Sequence, residues 1–251
     1  MSSPYFFVKD LTPKTIVLDE PTSKHIVQVL RMQRDEQVLL TDGAGTKATA
    51  LISDDNRKRC AVTIQKAELD EQQPNKVSIA ISLLKNASRF EWFLEKATEM
   101  GVRQIIPLVC ERTESEKFRH DRLNGILISA MLQSQQCWLP LLHQPTPFKE
   151  IVKEEAVCKW VAHCLPGEKT SLLTAWKQQN GKAGDNLTSQ LILIGPEGDF
   201  TDKEVMAALK NNFHPVGLGN TRLRTETAGL VAATLLCQLG AATLEREIKT
   251  G

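Results

Sequence analysis

The chain is predicted to be an α/β protein in which a small β domain precedes a mostly parallel sheet. Three observations carry this. From Val77 onward, apolar runs of strand length alternate with helical stretches, the rhythm of a sheet with helices on its faces. The first 70 residues carry short β runs instead, which suits a small barrel or curled sheet. Late in the chain two glycine turns, Gly195-Pro196-Glu197-Gly198 and Gly217-Leu218-Gly219, each follow an apolar strand and precede a helix.

In the first 70 residues the β runs are 16–18, 37–41, 47–52 and 60–64. Asp42-Gly43 between the second and third is a hairpin signal. A helix is expected from Thr22 or Ser23, as a capping hydroxyl, to Met32, with Ile26, Val29 and Leu30 on one face. A polar connector spans 71–75. Beyond it, strand 77–84 leads to a helix capped by Ser88, which runs to Met100 and stops at Gly101. Strand 103–108, helix 121–136 and strands 159–164 and 191–194 follow. Thr201 caps helix 202–211, strand 215–218 is short, and an apolar helix, 225–239, closes the series.

Bulk properties narrow the function classes. The 251 residues suit one large or two modest domains, and 41% apolar content supports real cores. The net charge of +1 offers no global field for nucleic acid, so any RNA contact needs a local basic face. The six cysteines never fall in a CxxC spacing, which argues against a metal site or disulfide framework. The start of the chain has no signal-peptide pattern and no run reaches transmembrane length, so a reduced, cytoplasmic protein is expected.

Ligands of parallel sheets bind at the carboxyl ends of the strands, where Gly195 and Gly219 fall. The first turn is neither a P-loop nor a dinucleotide fingerprint; taken alone it reads as a tight connection sooner than as a ligand loop. The second is sharper. Arg222 and Arg224 flank Leu223 just before a buried helix, and arginine there can clamp a carboxylate or phosphate. Glu226 suits the positive helix end on either reading. Trp92 and Phe93 read as packing residues, with Lys85, Arg89 and Arg112 as the polar contacts of that layer. His163 ends a strand near the turns, as a lining residue or a core histidine. In the β domain, His25, Arg31, Arg34, Lys47 and the run Arg57-Lys58-Arg59 form either a solvated face or an RNA-facing patch.

Taken together, these motifs resemble the ribosomal RNA small subunit methyltransferase E family of the SPOUT class. The resemblance rests on His25 to Gly45, on Glu91 to Pro107, on Gln133-Ser134 with Leu139-Pro140, and on the two glycine turns through Ala228, in that order. Asp199, Thr221-Arg222 and Gln136 depart from the family pattern. The resemblance implies a PUA-like β-barrel over 1–70 and a trefoil-knotted methyltransferase domain over 74–251, dimerising with a second copy. It implies S-adenosylmethionine as cofactor, no metal, and methylation of a uridine N3 in 16S rRNA. Leu193, Gly195, Pro196, Glu197, Gly198, Leu218, Gly219, Leu223, Arg224, Thr227 and His163 would bind the cofactor. Arg224, Glu226 and Glu197 would be catalytic, and His25, Arg31, Arg34, Arg57, Lys58, Arg59, Lys85, Arg89 and Arg112 would contact RNA. A non-catalytic RNA-binding relative and a tRNA-modifying enzyme are the competing readings.

Overall fold

The computed structural model describes residues 3–71, 76–114, 117–183 and 189–250, with 180–183 and 240–250 described by backbone only. The chain divides into two compact units, Met1–Gln72 with Ile128–Leu139, and Gln73–Leu127 with Pro140–Gly251. A boundary near residue 72 thus separates them, but the assignment of all of 74–251 to the second needs correction. Ile128–Leu139 belongs to the first, where Trp138 bridges to Ala44 and the Thr41 hydroxyl donates to the Cys137 carbonyl (3.4 Å). The connector at 71–75 lies, from residue 72, outside the described residues.

The first unit is a five-stranded sheet of β1 (Tyr5–Phe7), β2 (Thr15–Val17), β3 (Gln37–Thr41), β4 (Thr46–Asp54) and β5 (Ala61–Leu69), in the order β1-β3-β4-β5-β2. β1 runs parallel to β3; the other pairs are antiparallel. Alternation along β3 and β4 buries Val38, Leu40, Ala48, Ala50 and Ile52 on one face, the period-2 pattern of a half-buried strand. Register shifts at Thr49/Ala50 and Ile52/Asp54 bend β4 over this core. The expected helix starts earlier than Thr22. Asp19 is its cap, accepting from the Thr22 amide (2.8 Å), and proline in the first turn fits that start, giving α1 (Glu20–Lys24). The chain then widens into a π-helical turn, His25–Val29, which buries Ile26 and leaves Val29 and Leu30 exposed.

The second unit is an all-parallel, eight-stranded sheet. Its strands are β6 (Lys76–Ser82), β7 (Gln104–Val109), β8 (Leu141–Leu142), β9 (Thr146–Pro147), β10 (Cys158–Ala162), β11 (Thr170–Ser171), β12 (Ser189–Ile194) and β13 (His214–Gly217). The order is β11-β13-β10-β12-β6-β7-β8, with β9 also on β7. Helices α2 (Ala87–Glu99), α3 (His120–Gln133, of which the residues from Ile128 onward belong to the first unit), α4 (Phe148–Ile151), α5 (Leu172–Ala183), α6 (Asp202–Lys210) and α7 (Thr225–Thr250) connect or follow them. Burial on both faces explains why β12 and β6 read as unbroken apolar runs. Thr201 closes a full capping box with Glu204. Asn86, not Ser88, caps α2, and its side chain accepts from the Ser88 amide (3.0 Å). Phe93 is fully buried as expected, whereas Trp92 is 41% exposed. The short strands β8, β9 and β11 and helices α4 and α5 had no expectation; β1 likewise.

Candidate active site

The carboxyl ends of β10, β12 and β13 are adjacent because these strands are parallel and in register: Ala162 lies opposite Ile194 on one side and Val216 on the other. Three loops leaving those ends enclose one open cleft of about 1240 Å³. They are the two glycine turns and a third loop, His163–Lys169, which the sequence reading missed. Pro166-Gly167 directly after a strand was the signal that could have found it.

Hydrogen bonds fix each loop. The Thr225 hydroxyl, at the start of α7, donates to the Gly195 carbonyl (3.1 Å), joining the second turn's helix to the first turn. Gly195 is closed in: a Cβ there would lie 3.1–3.2 Å from the Phe200 ring and amide. Gly219 is the reverse case, at φ +143° with open space where a Cβ would be, a conformation that suits glycine and leaves backbone open to the cleft. Arg112 donates to the Gly198 carbonyl (2.8 Å).

Asp199 explains itself structurally. It adopts φ +62°, which glycine takes easily and aspartate tolerates through local hydrogen bonds. Its Oδ1 accepts from the Phe200 amide (2.8 Å) and its Oδ2 from the Cys164 amide (2.7 Å), so one carboxylate clasps the third loop to the first turn. Lys169 Nζ braces the same loop, donating to the carbonyls of His163 (2.9 Å) and Leu165 (2.6 Å).

His163 lines the cleft, and its Nδ1 is buried without a hydrogen-bond partner. Burial lowers its pKa, and Lys169 lowers it further against an opposing pull from Asp199. The ring is thus held toward its neutral form, with a polar atom unsatisfied. Arg222 and Arg224 are exposed on the cleft wall, and neither side chain has a polar partner among the described residues. Two unpaired guanidiniums above a partly apolar cleft form a receptive edge for an anion.

The expected cofactor residues Gly195, Pro196, Glu197, Gly198, Leu218, Gly219, Leu223, Arg224 and His163 all line the cleft. Leu193 does not; it is fully buried in the core with Phe200 and its in-register neighbour Val161, since paired strand residues share a face and successive ones alternate. Thr227 and Glu226 are also absent from the lining. The Glu226 side chain is 8% exposed and faces Arg89, with Nε 3.7 Å from its Oε1. Of the residues expected to touch RNA in this unit, Arg89 and Arg112 line the cleft, but Lys85 is exposed outside it and pairs with Glu114 (3.0 Å).

In the first unit, His25, Arg31, Arg34, Arg57, Lys58 and Arg59 are all exposed. Backbone bonds bring their segments together: Leu18 to Cys60 (2.8 Å), Cys60 to the Ser23 hydroxyl (2.9 Å), and Asp35 to Ile52 (2.8 Å). Lys47 is not part of this face. It lies at the other end of β4 and pairs with Asp70 (2.8 Å). Among the described residues no group of three or more His, Cys, Asp or Glu can hold a metal ion. Burial raises the thiols of Cys60, Cys137 and Cys158 to about 11 and Cys237 to about 12, so they are poor nucleophiles and ligands.

A parallel α/β sheet with an open cleft at its carboxyl edge, on a chain whose β unit exposes a set of arginines and lysines, is the build of an RNA-modifying enzyme. The RNA methyltransferase domain profile matches residues 71–237, and the RNA methyltransferase PUA domain profile matches 18–65. The chain is 31% identical over 222 residues to the ribosomal RNA small subunit methyltransferase E of a Synechocystis species, covering 87% of this chain and 71% of that one. A crystal structure of a probable rRNA methyltransferase from Porphyromonas gingivalis is similar at 34% identity and TM-score 0.85, over 95% of this chain and 99% of that one. So is the small subunit methyltransferase E of Neisseria gonorrhoeae bound to S-adenosyl methionine, at 26% identity and TM-score 0.81, over 95% and 98%. The chain belongs to the ribosomal RNA small subunit methyltransferase E family.

Proposed function

We propose that this protein transfers a methyl group from S-adenosylmethionine to N3 of a uridine in the 16S rRNA of the small ribosomal subunit. The observation that carries the reading is the three-loop cleft with Arg222 and Arg224 unpaired on its wall. The residues fit the cofactor. Leu218 and Leu223 offer apolar surface to an adenine, the open backbone at Gly219 offers polar groups, and the partnerless Nδ1 of His163 offers one more. When bound, the cofactor supplies an electrophilic methyl group on a cationic sulfur.

The protein's own residues do the rest. Uracil N3 must lose a proton before it can attack, and the target base must leave its stack to reach the cleft. Arg224 stabilises the resulting anion or grips the flanking phosphate. Glu197 faces the cleft while its Oε1 accepts from Arg89 (3.0 Å), which leaves its second oxygen for the N3 proton; Glu226 lies behind the wall. Residues 1–70, through Arg31, Arg34 and Arg57-Lys58-Arg59, bind rRNA. Residues 74–251 form a trefoil-knotted SPOUT domain. Support for this is the chain path, which inserts β12 between β10 and β6, crosses to β13, and returns as α7 against β6 and β12. Half-buried Leu230, Val231 and Leu235 on α7 suit a seam with a second copy. The enzyme works in the cytoplasm.

Calorimetry with the cofactor, followed by mass mapping of methylated nucleotides on small subunits, tests the reading. Arg224→Ala should abolish methyl transfer while keeping most cofactor affinity. Unchanged turnover removes Arg224 from the mechanism, and methylation of tRNA instead of rRNA overturns the substrate.

A further inference from the structure

Arg89 was expected to face RNA, yet its guanidinium is committed within the protein. Nη1 is 3.0 Å from Oε1 of Glu197 and Nε is 3.7 Å from Oε1 of Glu226. The three side chains come from three elements: the first turn of α2, the first glycine turn and the first turn of α7. The two carboxylates differ in setting. Glu197 is 39% exposed on the cleft wall, whereas Glu226 is 8% exposed and its Oε2 is buried with no hydrogen-bond partner. Burying a carboxylate short of hydrogen bonds is costly, and a cation beside it offsets that cost.

We propose that Arg89 is a positioning residue for the cofactor cleft, one guanidinium that ties the first glycine turn and the start of α7 to α2 through Glu197 and Glu226. The inference rests on the cofactor reading given above. The first turn is then held at successive points: Gly195 by the Thr225 hydroxyl, Glu197 by Arg89 and Gly198 by Arg112. Glu226 directly follows Thr225, so the charge that settles Glu226 also settles the hydroxyl that holds Gly195. Arginine suits the task because Nε and Nη1 address two carboxylates in two directions, whereas a lysine ammonium is a single point charge. Without Arg89, Glu197 swings free and Glu226 becomes an uncompensated buried charge, so the cleft loses its preformed width.

The test uses the full-length protein and four variants: Arg89→Met, Arg89→Lys, Glu226→Gln, and Arg89→Met with Glu226→Gln. The readouts are the Kd for S-adenosylhomocysteine by calorimetry, the Tm of the ligand-free protein, and the separate KM values for cofactor and RNA. Arg89→Met should weaken S-adenosylhomocysteine about tenfold, with a smaller change in the KM for RNA. Adding Glu226→Gln should recover part of that loss and raise Tm, because the stranded charge is gone while Glu197 stays untied. Arg89→Lys keeps the charge and folds, and it should still lose about threefold in affinity. The proposal is overturned if Arg89→Met raises the KM for RNA and leaves Kd unchanged, or if the double variant binds no better than Arg89→Met. It is also overturned if Arg89→Lys equals the parent, which decides the matter even where Arg89→Met does not fold. A parent protein that fails to bind S-adenosylhomocysteine overturns the functional reading itself, a result distinct from the others.

Discussion

Two helix glycines make a controlled experiment on how α7 is seated. Gly229 lies one turn after Thr225 on α7, and Gly125 lies on α3. A Cβ at Gly229 would sit 2.7 Å from Ile81 Cδ1 and 2.8 Å from Phe93 Cε2, both residues being fully buried. A Cβ at Gly125 would meet nothing within 4 Å. Alanine in place of glycine in a helix is worth about 1 kcal/mol from reduced backbone entropy. At Gly125 that gain stands alone. At Gly229 it is opposed by overpacking of about 2 kcal/mol, since a rigid ring and a methyl group must both give way. The net is about 1 kcal/mol stabilising for Gly125→Ala and about 1 kcal/mol destabilising for Gly229→Ala. At about 2–4 °C per kcal/mol for a chain of this size, the two melting temperatures should differ by about 4–8 °C. Thermal unfolding by circular dichroism measures this. Gly229→Ala should also weaken S-adenosylhomocysteine, because lifting α7 off β6 strains the Thr225–Gly195 bond one turn away. Equal shifts of the same sign in both variants would refute the packing of α7 against Ile81 and Phe93.

Asp199→Ala should destabilise more than Asp199→Gly, by about 1–2 kcal/mol in urea melts, because both lose the clasp on Cys164 but only alanine is strained at φ +62°; the reverse order excludes the strain. Replacing Arg57, Lys58 and Arg59 with glutamate should flatten the salt dependence of rRNA binding by up to about three ions while sparing cofactor affinity. An unaltered slope takes that loop off the RNA face. Burial lowers the pKa values of His143 and His163 from 6.5, so their contribution to stability is complete above pH 6.5 and is lost as pH falls through the lowered values. Tm should therefore drop on acidification from pH 6.5 to about 5, and His163→Gln should shrink the drop; a drop of the same size with glutamine there means that His163 is not desolvated.

The alternating strands and helices, the Thr201 capping box and the placement of both glycine turns at strand ends were legible in the sequence because each is a local pattern of a few residues. Helix starts were less so. Thr22 and Ser88 are good capping residues, yet Asp19 and Asn86 do the capping, since the choice among nearby caps depends on where the chain enters the turn. Two-residue strands such as β8 and β11 show no period at all and exist only because a neighbour offers free hydrogen-bonding groups.

The chain by itself settled that glycine turns, arginines and a polar helix start would meet at one edge of a parallel sheet, because hydrophobic period and turn chemistry act over short range. Partnership was settled only by the folded chain. Arg89 finds Glu197 across 108 residues, Asp199 reaches back to Cys164, and Lys47 leaves the basic face for Asp70. Charge interactions depend on distance in space and on burial, and neither is written in the order of the residues.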